Sequence, residues 1–143
     1  MRHCRTTWST RSTGESAAGH QRLVVDDRRP QRLGKTAREL VEDRRNQLFL
    51  SAVSSWEIVI KLAIGRLDLP APPEALVPDQ MRSSGVTGLP VEHAHALRVG
   101  TLPTHHRDPF DRLLIAQAQI ESLAILTADP VFGRYAVEVV RAA

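Results

Sequence analysis

The order of apolar and polar positions after residue 32 predicts helices and strands that alternate along the chain. Apolar positions form one stripe of a helix in LGKTARELVEDRRN, and the run LFLSAVS at 48–54 is typical of a short buried strand. Further helices are predicted in SSWEIVIKLAIGRL, with Gly65 near its end, and from Pro73 to just before Gly85. This alternation predicts an α/β domain in which right-handed crossovers join parallel strands.

The second half of the chain continues the same alternation. We predict a strand in VTGLPV, a helix in EHAHALRVG, a loop in TLPTHHR, a helix in PFDRLLIAQAQIES, a buried strand in LAILTAD, a helical turn in PVFGRY and a last strand in VEVVRA. His93 and His95 are two positions apart, so on a helix they face different sides. We therefore expect them to belong to a solvated surface and not to a metal site.

The first residues interrupt this pattern. Residues 1–22 are rich in Arg, Ser, Thr and Gly and show no apolar period, so we expect an irregular segment there and a folded domain over 23–143. The stretch LVVDD ends in Asp26 and Asp27, and only five residues separate Asp27 from Leu33, where the next helical pattern begins. Because this interval is too short for a further helix, we assign both acids to a loop.

Composition narrows the classes of function. No apolar run approaches the roughly 20 residues of a membrane span, and the single cysteine, Cys4, cannot form an internal disulfide. We expect a cytoplasmic protein without membrane association or structural zinc. Residues 1–46 hold 11 Lys and Arg against 6 Asp and Glu, whereas the remainder holds 8 against 10. The slightly acidic body argues against a DNA-binding module, unless its carboxylates hold cations.

Several acidic residues stand where apolar segments end. Glu57 follows the predicted strand at 48–54, and Asp129 follows the strand in LAILTAD. The carboxyl ends of parallel strands lie at one edge of a sheet, so both side chains can meet there. Three carboxylates that converge without a Lys or Arg partner, with Asp111 as the third, would repel one another. A divalent cation removes this repulsion.

Oxygen donors without Cys or paired His suit Mg²⁺ or Mn²⁺, which can activate a water and neutralise a phosphodiester. The residues therefore predict metal-dependent phosphodiester hydrolysis. A purely structural interpretation also exists, because SSWE and DPFD both have the form of helix caps with an acid at the third position. Capping is our first choice for Asp108, which precedes Pro109, and both interpretations stay open for Glu57 and Asp111.

A small basic rim lies beside the acids in the stretch HHRDPFDR. It contains His106, Arg107 and Arg112, which can contact RNA phosphates. A solvated loop without a ligand is the alternative for these three side chains.

Three stretches together resemble the PIN-domain toxins of the VapC type: LFLSAVSSWEIVIKLAIGRLDLP, LPVEHAHALRVGTLPTHHRDPFDRLLIAQA and LTADPVFGRYAVEVV. The resemblance covers about residues 33–140. It implies a PIN fold, which is a three-layer α/β/α sandwich with a central parallel sheet. It also implies Mg²⁺-dependent cleavage of RNA, with Mn²⁺ as the other candidate ion, a VapB-like antitoxin as the cognate partner, and a homodimer.

Carried over by position, the resemblance assigns Glu57, Asp111 and Asp129 to the metal, with the hydroxyl of Thr127 close to it. Asp108 belongs to the same DPFD stretch. For this residue we keep helix capping as the first interpretation and metal binding as the second.

The resemblance fails at the front of the chain. The family begins with an apolar strand that ends in Asp followed by Thr or Ser, and residues 1–22 contain no such stretch. We therefore expect that the first strand and its acid are missing or replaced, as after a displaced reading frame or a wrong start. Two hypotheses follow: an active endoribonuclease toxin, or a catalytically impaired PIN-like protein that binds antitoxin or RNA without cleaving.

Overall fold

The computed structural model describes residues 21–26 and 35–141, and all structural statements concern these residues. Five strands pair in parallel in one sheet. They are β1 (Arg22–Val25), β2 (Gln47–Ser51), β3 (Val86–Leu89), β4 (Ala124–Thr127) and β5 (Val139–Arg141), and their order across the sheet is β3-β2-β1-β4-β5.

Helices lie on both sides of this sheet, so the predicted three-layer α/β architecture is confirmed. They are α1 (Lys35–Glu42), α2 (Ala52–Ala63), α3 (Pro73–Ser84), α4 (His93–Arg98) and α5 (Pro109–Glu121), with 3-10 turns at Val99–Thr101 and Pro130–Arg134. Gly85 closes α3 at φ 69°, and Gly65 follows α2 at φ 75°. Both are left-handed conformations that glycine adopts without a steric penalty, as expected for helix C-termini.

Alternate residues of the strands build two apolar layers. Val24 and Ile125 point to the face covered by α5, where they pack in one cluster with Ile115. Leu23 points to the other face, where Leu40 of α1 packs against its cluster. Burial on both faces explains why the inner strands β1 and β4 and the core of β2 read as continuous apolar runs and not as an alternation.

The central strand is β1, so the expectation that the first strand is missing is wrong. Leu23 pairs with Leu48 of β2 on one side and with Ala124 of β4 on the other, and Leu23 and Val24 are completely buried. The expectation failed because it required a further helix before Leu33, although α1 itself is the crossover helix that joins β1 to the parallel strand β2. The irregular segment was expected over residues 1–22, of which 1–20 lie outside the described residues, while Arg22 is the first residue of β1.

The junction of β2 and α2 lies earlier than the sequence suggested. The strand ends at Ser51 and not at 54, because the Ser51 hydroxyl accepts a hydrogen bond of 3.0 Å from the Val53 amide and begins the helix. The alternative interpretation of SSWE as a helix cap, with Ser54 as its first residue, is therefore wrong. Glu57 becomes the sixth residue of α2, beyond the first turn in which a capping acid acts.

Candidate metal centre

Asp26 follows the carboxyl end of the central strand and is the acid that the sequence interpretation lacked. Its amide donates to the Leu126 carbonyl at 2.8 Å, which continues the pairing of β1 with β4. Its Oδ2 accepts a hydrogen bond of 2.7 Å from the Thr127 hydroxyl. We expected Asp26 in a loop, but its side chain lies at the centre of the carboxyl edge of the sheet.

Thr127 connects Asp26 to the next acid. It is the last residue of β4 and is completely buried, and its Oγ1 also accepts a hydrogen bond of 3.0 Å from the Asp129 amide. Asp129 in turn accepts from the Val131 amide through Oδ1 at 3.0 Å, which caps the 3-10 turn Pro130–Arg134. The Thr127 hydroxyl is therefore hydrogen-bonded to the backbone of Asp129 and to the carboxylate of Asp26.

The DPFD stretch divides its two acids between different tasks. Asp108 is the N-cap of α5, and its Oδ1 accepts a hydrogen bond of 2.9 Å from the Phe110 amide, with Pro109 at the first helical position. Asp111 lies in the first turn and is only 2% exposed. Within the described ranges, one group of donor side chains close enough for a single ion includes Asp111, and no such group includes Asp108.

His106 completes a cluster at this edge. Its Nε2 lies 2.7 Å from Asp111 Oδ2 and 3.3 Å from Asp129 Oδ2, and donor atoms of all three side chains lie within 4.8 Å of one another. The expected place of His106 is a basic rim for RNA, whereas its ring faces the acids and its side chain is 16% exposed. The available sequence signal was its position two residues before Asp108 of the DPFD stretch.

Glu57 lies on a neighbouring wall. It shares with Asp26 the lining of a groove of about 490 Å³, whose other side chains are mostly apolar. Lys61, one turn further along α2, approaches the Glu57 Oε2 with its Nζ at 3.2 Å. The expectation that the acids lack a basic partner is therefore wrong, because Lys61 serves Glu57 and His106 serves Asp111 and Asp129. The i,i+4 spacing of Glu57 and Lys61 could have revealed the first of these pairs.

Of the predicted basic rim, Arg112 contacts the backbone of the protein itself. Arg112 directs its guanidinium to backbone carbonyls, with Nη1 2.7 Å from the oxygen of Pro103 and Nη2 3.1 Å from that of Val99. It therefore holds the loop before α5, and a contact with RNA would compete with these bonds. Arg107 is exposed, and its contact with RNA stays a prediction.

The cluster at this edge suits a small divalent cation. Carboxylates arrive from the ends of β1 and β4 and from the first turn of α5, and the buried carboxylate of Asp111 lies in one donor group with Asp129 and His106. Carboxylate and hydroxyl oxygens are the donors that Mg²⁺ and Mn²⁺ take in proteins. The donor set therefore fits the ion type that the sequence predicted.

A second cluster with the same donor types lies elsewhere. His95 and Glu121 are each 1% exposed, and His95 Nε2 lies 2.8 Å from Glu121 Oε2, while the Glu92 amide donates to His95 Nδ1 at 3.0 Å. The expectation of a solvated surface at His95 is wrong. The His95 ring joins α4 to α5. On α4 the two histidines face different sides, so His95 is buried while His93 is exposed.

Comparison with known proteins places the chain in a family. The sequence pattern of the PIN domain matches residues 23–138. The chain belongs to the PIN-domain family. Ribonuclease VapC16 of Mycobacterium tuberculosis (strain ATCC 25618 / H37Rv) is 43% identical over 93 residues, which are 64% of this chain. The match spans 62% of the length of that relative. The resemblance to the PIN-domain toxins of the VapC type is confirmed.

Two solved structures share this PIN fold. VapBC2 from Rickettsia felis, bound to a DNA fragment from its promoter, aligns with a TM-score of 0.61 at 12% identity, covering 85% of this chain and 98% of that one. FitAcB from Neisseria gonorrhoeae aligns with a TM-score of 0.53 at 18% identity, covering 82% and 95%. At these identities the likeness concerns the fold. Among the helices described for this chain, none is both long and apolar enough to cross a membrane.

Proposed function

We propose that this chain is a Mg²⁺-dependent endoribonuclease, the toxin of a bacterial toxin–antitoxin system that acts in the cytoplasm. The observation that carries this proposal is the meeting of Asp26, Asp111 and Asp129 at the carboxyl edge of the sheet, joined through Thr127 and His106. The similarity to a relative named ribonuclease VapC16 supports the reaction class.

Four carboxylates would hold the cation. They belong to Asp26, Glu57, Asp111 and Asp129, of which Asp111 and Asp129 lie in one donor group. A bound Mg²⁺ lowers the pKa of its water and neutralises the charge of the scissile phosphate. Thr127 keeps Asp26 and the chain at Asp129 at a fixed separation. Lys61 compensates the charge of Glu57 while no cation is bound.

The substrate is RNA, and its phosphates need basic side chains beside this acidic edge. Arg107 is exposed and directly precedes Asp108, so we assign it to the phosphate backbone. Arg112 acts indirectly, because it holds the loop that carries Arg107 and His106.

A catalytically impaired protein that only binds antitoxin or RNA is the second candidate. Its motivation was the missing first acid. Asp26 stands at the end of the central strand and is hydrogen-bonded to Thr127, which removes that motivation and favours the active enzyme.

Cleavage of a structured RNA by the purified protein tests the proposal. We expect cleavage with Mg²⁺, none with EDTA, and a loss of at least about 100-fold in Asp111→Asn, because several kcal/mol of metal-derived stabilisation would be removed. Asp108→Asn is the matched control, since Asn also caps helices well. Cleavage that continues in EDTA, or that is equal in Asp111→Asn and the unchanged protein, would contradict the proposal.

We assign the antitoxin to the groove that Asp26 and Glu57 line. Its walls carry Leu69, Leu76 and Met81, so it offers apolar area that continues directly to the acids. A VapB-like segment seated there would cover both the apolar walls and the metal centre. Co-purification with a VapB-like antitoxin tests this. We expect Leu76→Asp to weaken the complex while the protein stays folded by circular dichroism, and an unchanged affinity would contradict the assignment.

We assign the homodimer contact to the outer face of α2. Ala52, Trp56, Val59 and Ala63 follow one another at helical spacing and are all exposed, with Trp56 58% and Val59 49% exposed. Light scattering after gel filtration should give twice the chain mass for the unchanged protein and a monomer for Val59→Asp. A dimer in both proteins would place the contact elsewhere.

A further inference from the structure

We propose that His106 is a ligand of the metal centre through Nε2, and that this nitrogen makes the centre bind Mn²⁺ in preference to Mg²⁺. The inference rests on the proposed metal-dependent function and goes beyond the carboxylate and hydroxyl set that the resemblance implies. Its basis is the position of the ring, which lies among the acids and not on the RNA-facing surface.

The distances are those of neighbouring ligands on one ion. In an octahedral site with bonds of about 2.1 Å, adjacent donor atoms lie about 3.0 Å apart. Nε2 lies 2.7 Å from Asp111 Oδ2 and 3.3 Å from Asp129 Oδ2, on either side of that value. One ion can therefore contact all three atoms after shifts of a few tenths of an ångström.

The ring is held in place by the rest of the fold. The His106 amide donates to the Tyr135 hydroxyl at 2.7 Å, and the imidazole contacts Phe132 edge-to-face with ring centroids 5.8 Å apart. Arg112 Nη1 also approaches the His106 carbonyl at 3.4 Å. These contacts fix the backbone and one side of the ring, so Nε2 is presented to the acids without the ordering cost of a free side chain.

The second ring nitrogen permits coordination. Nδ1 faces the Asp108 amide at 3.4 Å, which is long for a hydrogen bond. The amide donates to Nδ1, so the ring proton lies on Nε2; coordination through Nε2 would move this proton to Nδ1, and the weak contact with the amide would be given up. The neutral imidazole that results is a common metal ligand.

The nitrogen changes which ion is preferred. Mg²⁺ is bound through oxygen, whereas imidazole suits transition metals, and affinity for mixed nitrogen and oxygen sites increases from Mn²⁺ onward. A site in which Nε2 occupies one coordination position therefore favours Mn²⁺ over Mg²⁺ more than a site of oxygen donors alone does.

Pulsed electron paramagnetic resonance of the full chain loaded with Mn²⁺ alone tests the assignment. We expect ¹⁴N modulation from a directly bound nitrogen in the unchanged protein and in His105→Asn, and none in His106→Asn. His105 is the matched control because it is the exposed neighbour of His106. Calorimetry should show Mn²⁺ affinity falling by about tenfold or more in His106→Asn, with a smaller fall for Mg²⁺.

Three results would overturn the inference: Mn²⁺ bound without ¹⁴N modulation in the unchanged protein, modulation that survives in His106→Asn, or tighter Mn²⁺ binding in that variant. In each case bound Mn²⁺ leaves the nuclease proposal intact. Absence of Mn²⁺ and Mg²⁺ binding would overturn both. If His106→Asn does not fold, His106→Gln gives the same test, and exchange of ¹⁴N for ¹⁵N in the histidines of the unchanged protein must change the modulation if the bound nitrogen belongs to a histidine.

Discussion

Among the residues that the structure describes, two clusters contain one histidine and two acids within ligand distance, and one of the two has the surroundings of a metal site. At the sheet edge, His106 is partly exposed, its Nδ1 contact is long, and the acids adjoin Asp26 and a groove. Between α4 and α5, His95 is buried and both ring nitrogens have short hydrogen bonds. Suitable donor atoms at suitable distances therefore do not by themselves define a metal site. The ion must also be able to reach them, and the ring nitrogen must be able to exchange its hydrogen bond for a bond to the metal.

The two clusters also differ in what their removal should cost. The buried pair stabilises the packing of α4 against α5, because each partner compensates the other where water is absent. The cluster at the sheet edge exchanges its internal partners for a cation, so its variants should change binding and catalysis more than folding.

The largest effect is expected at the buried cluster. His95→Ala leaves the Glu121 carboxylate buried without its partner, and this should lower the free energy of unfolding by about 3–5 kcal/mol. Urea denaturation followed by circular dichroism measures it. The double variant His95→Leu/Glu121→Leu should recover part of the loss, because it removes both polar groups. A loss below about 1 kcal/mol in His95→Ala would show that the pair is solvated, as for surface pairs.

The next effect concerns the acid at the end of the central strand. Asp26→Asn keeps an oxygen that can accept from Thr127 but removes a charge that would hold the cation. RNA cleavage should fall by roughly 10²-fold while the free energy of unfolding changes little, since several kcal/mol of charge stabilisation are involved. Asp68→Asn is the matched control, because Asp68 is an exposed acid of the same groove. Equal cleavage rates for both variants would remove Asp26 from the centre.

The smallest effect is expected at Thr127. Thr127→Val removes the hydroxyl that joins Asp26 to the Asp129 amide, at a cost in stability of about 1–2 kcal/mol and a moderate loss of cleavage. Thr127→Ser keeps the hydroxyl and should retain most of the rate. A Val variant as active as the Ser variant would mean that the hydroxyl does not position the acids.

The sequence predicted the parallel α/β fold well because buried strands and capped helices leave local signals. The apolar runs around β4 and the glycines that end α2 and α3 are such signals, and so is the Asp108–Pro109 pair that begins α5. The cap of α2 was misplaced by three residues, since Ser51 and Ser54 are equally good caps in sequence and only the end of β2 decides between them.

The central strand and the two histidines were not predictable in the same way. Leu23–Val25 is too short to be distinguished from a loop by periodicity, and it becomes a strand because β2 and β4 pair with it on both sides. His95 and His106 acquire partners 26 and 5 positions away, on α5 in both cases. Contacts of this kind depend on how a loop or helix packs against α5, which no local pattern records.

The most direct test of the account is a Mn²⁺ titration of three proteins, followed by the loss of the free-ion signal in electron paramagnetic resonance. The unchanged chain and Glu121→Gln should bind Mn²⁺ equally, because Gln keeps the acceptor for His95 and the buried cluster takes no ion. Asp111→Asn should lose this binding. Unchanged binding in Asp111→Asn, or its loss in Glu121→Gln, would show that the wrong cluster has been assigned to the metal.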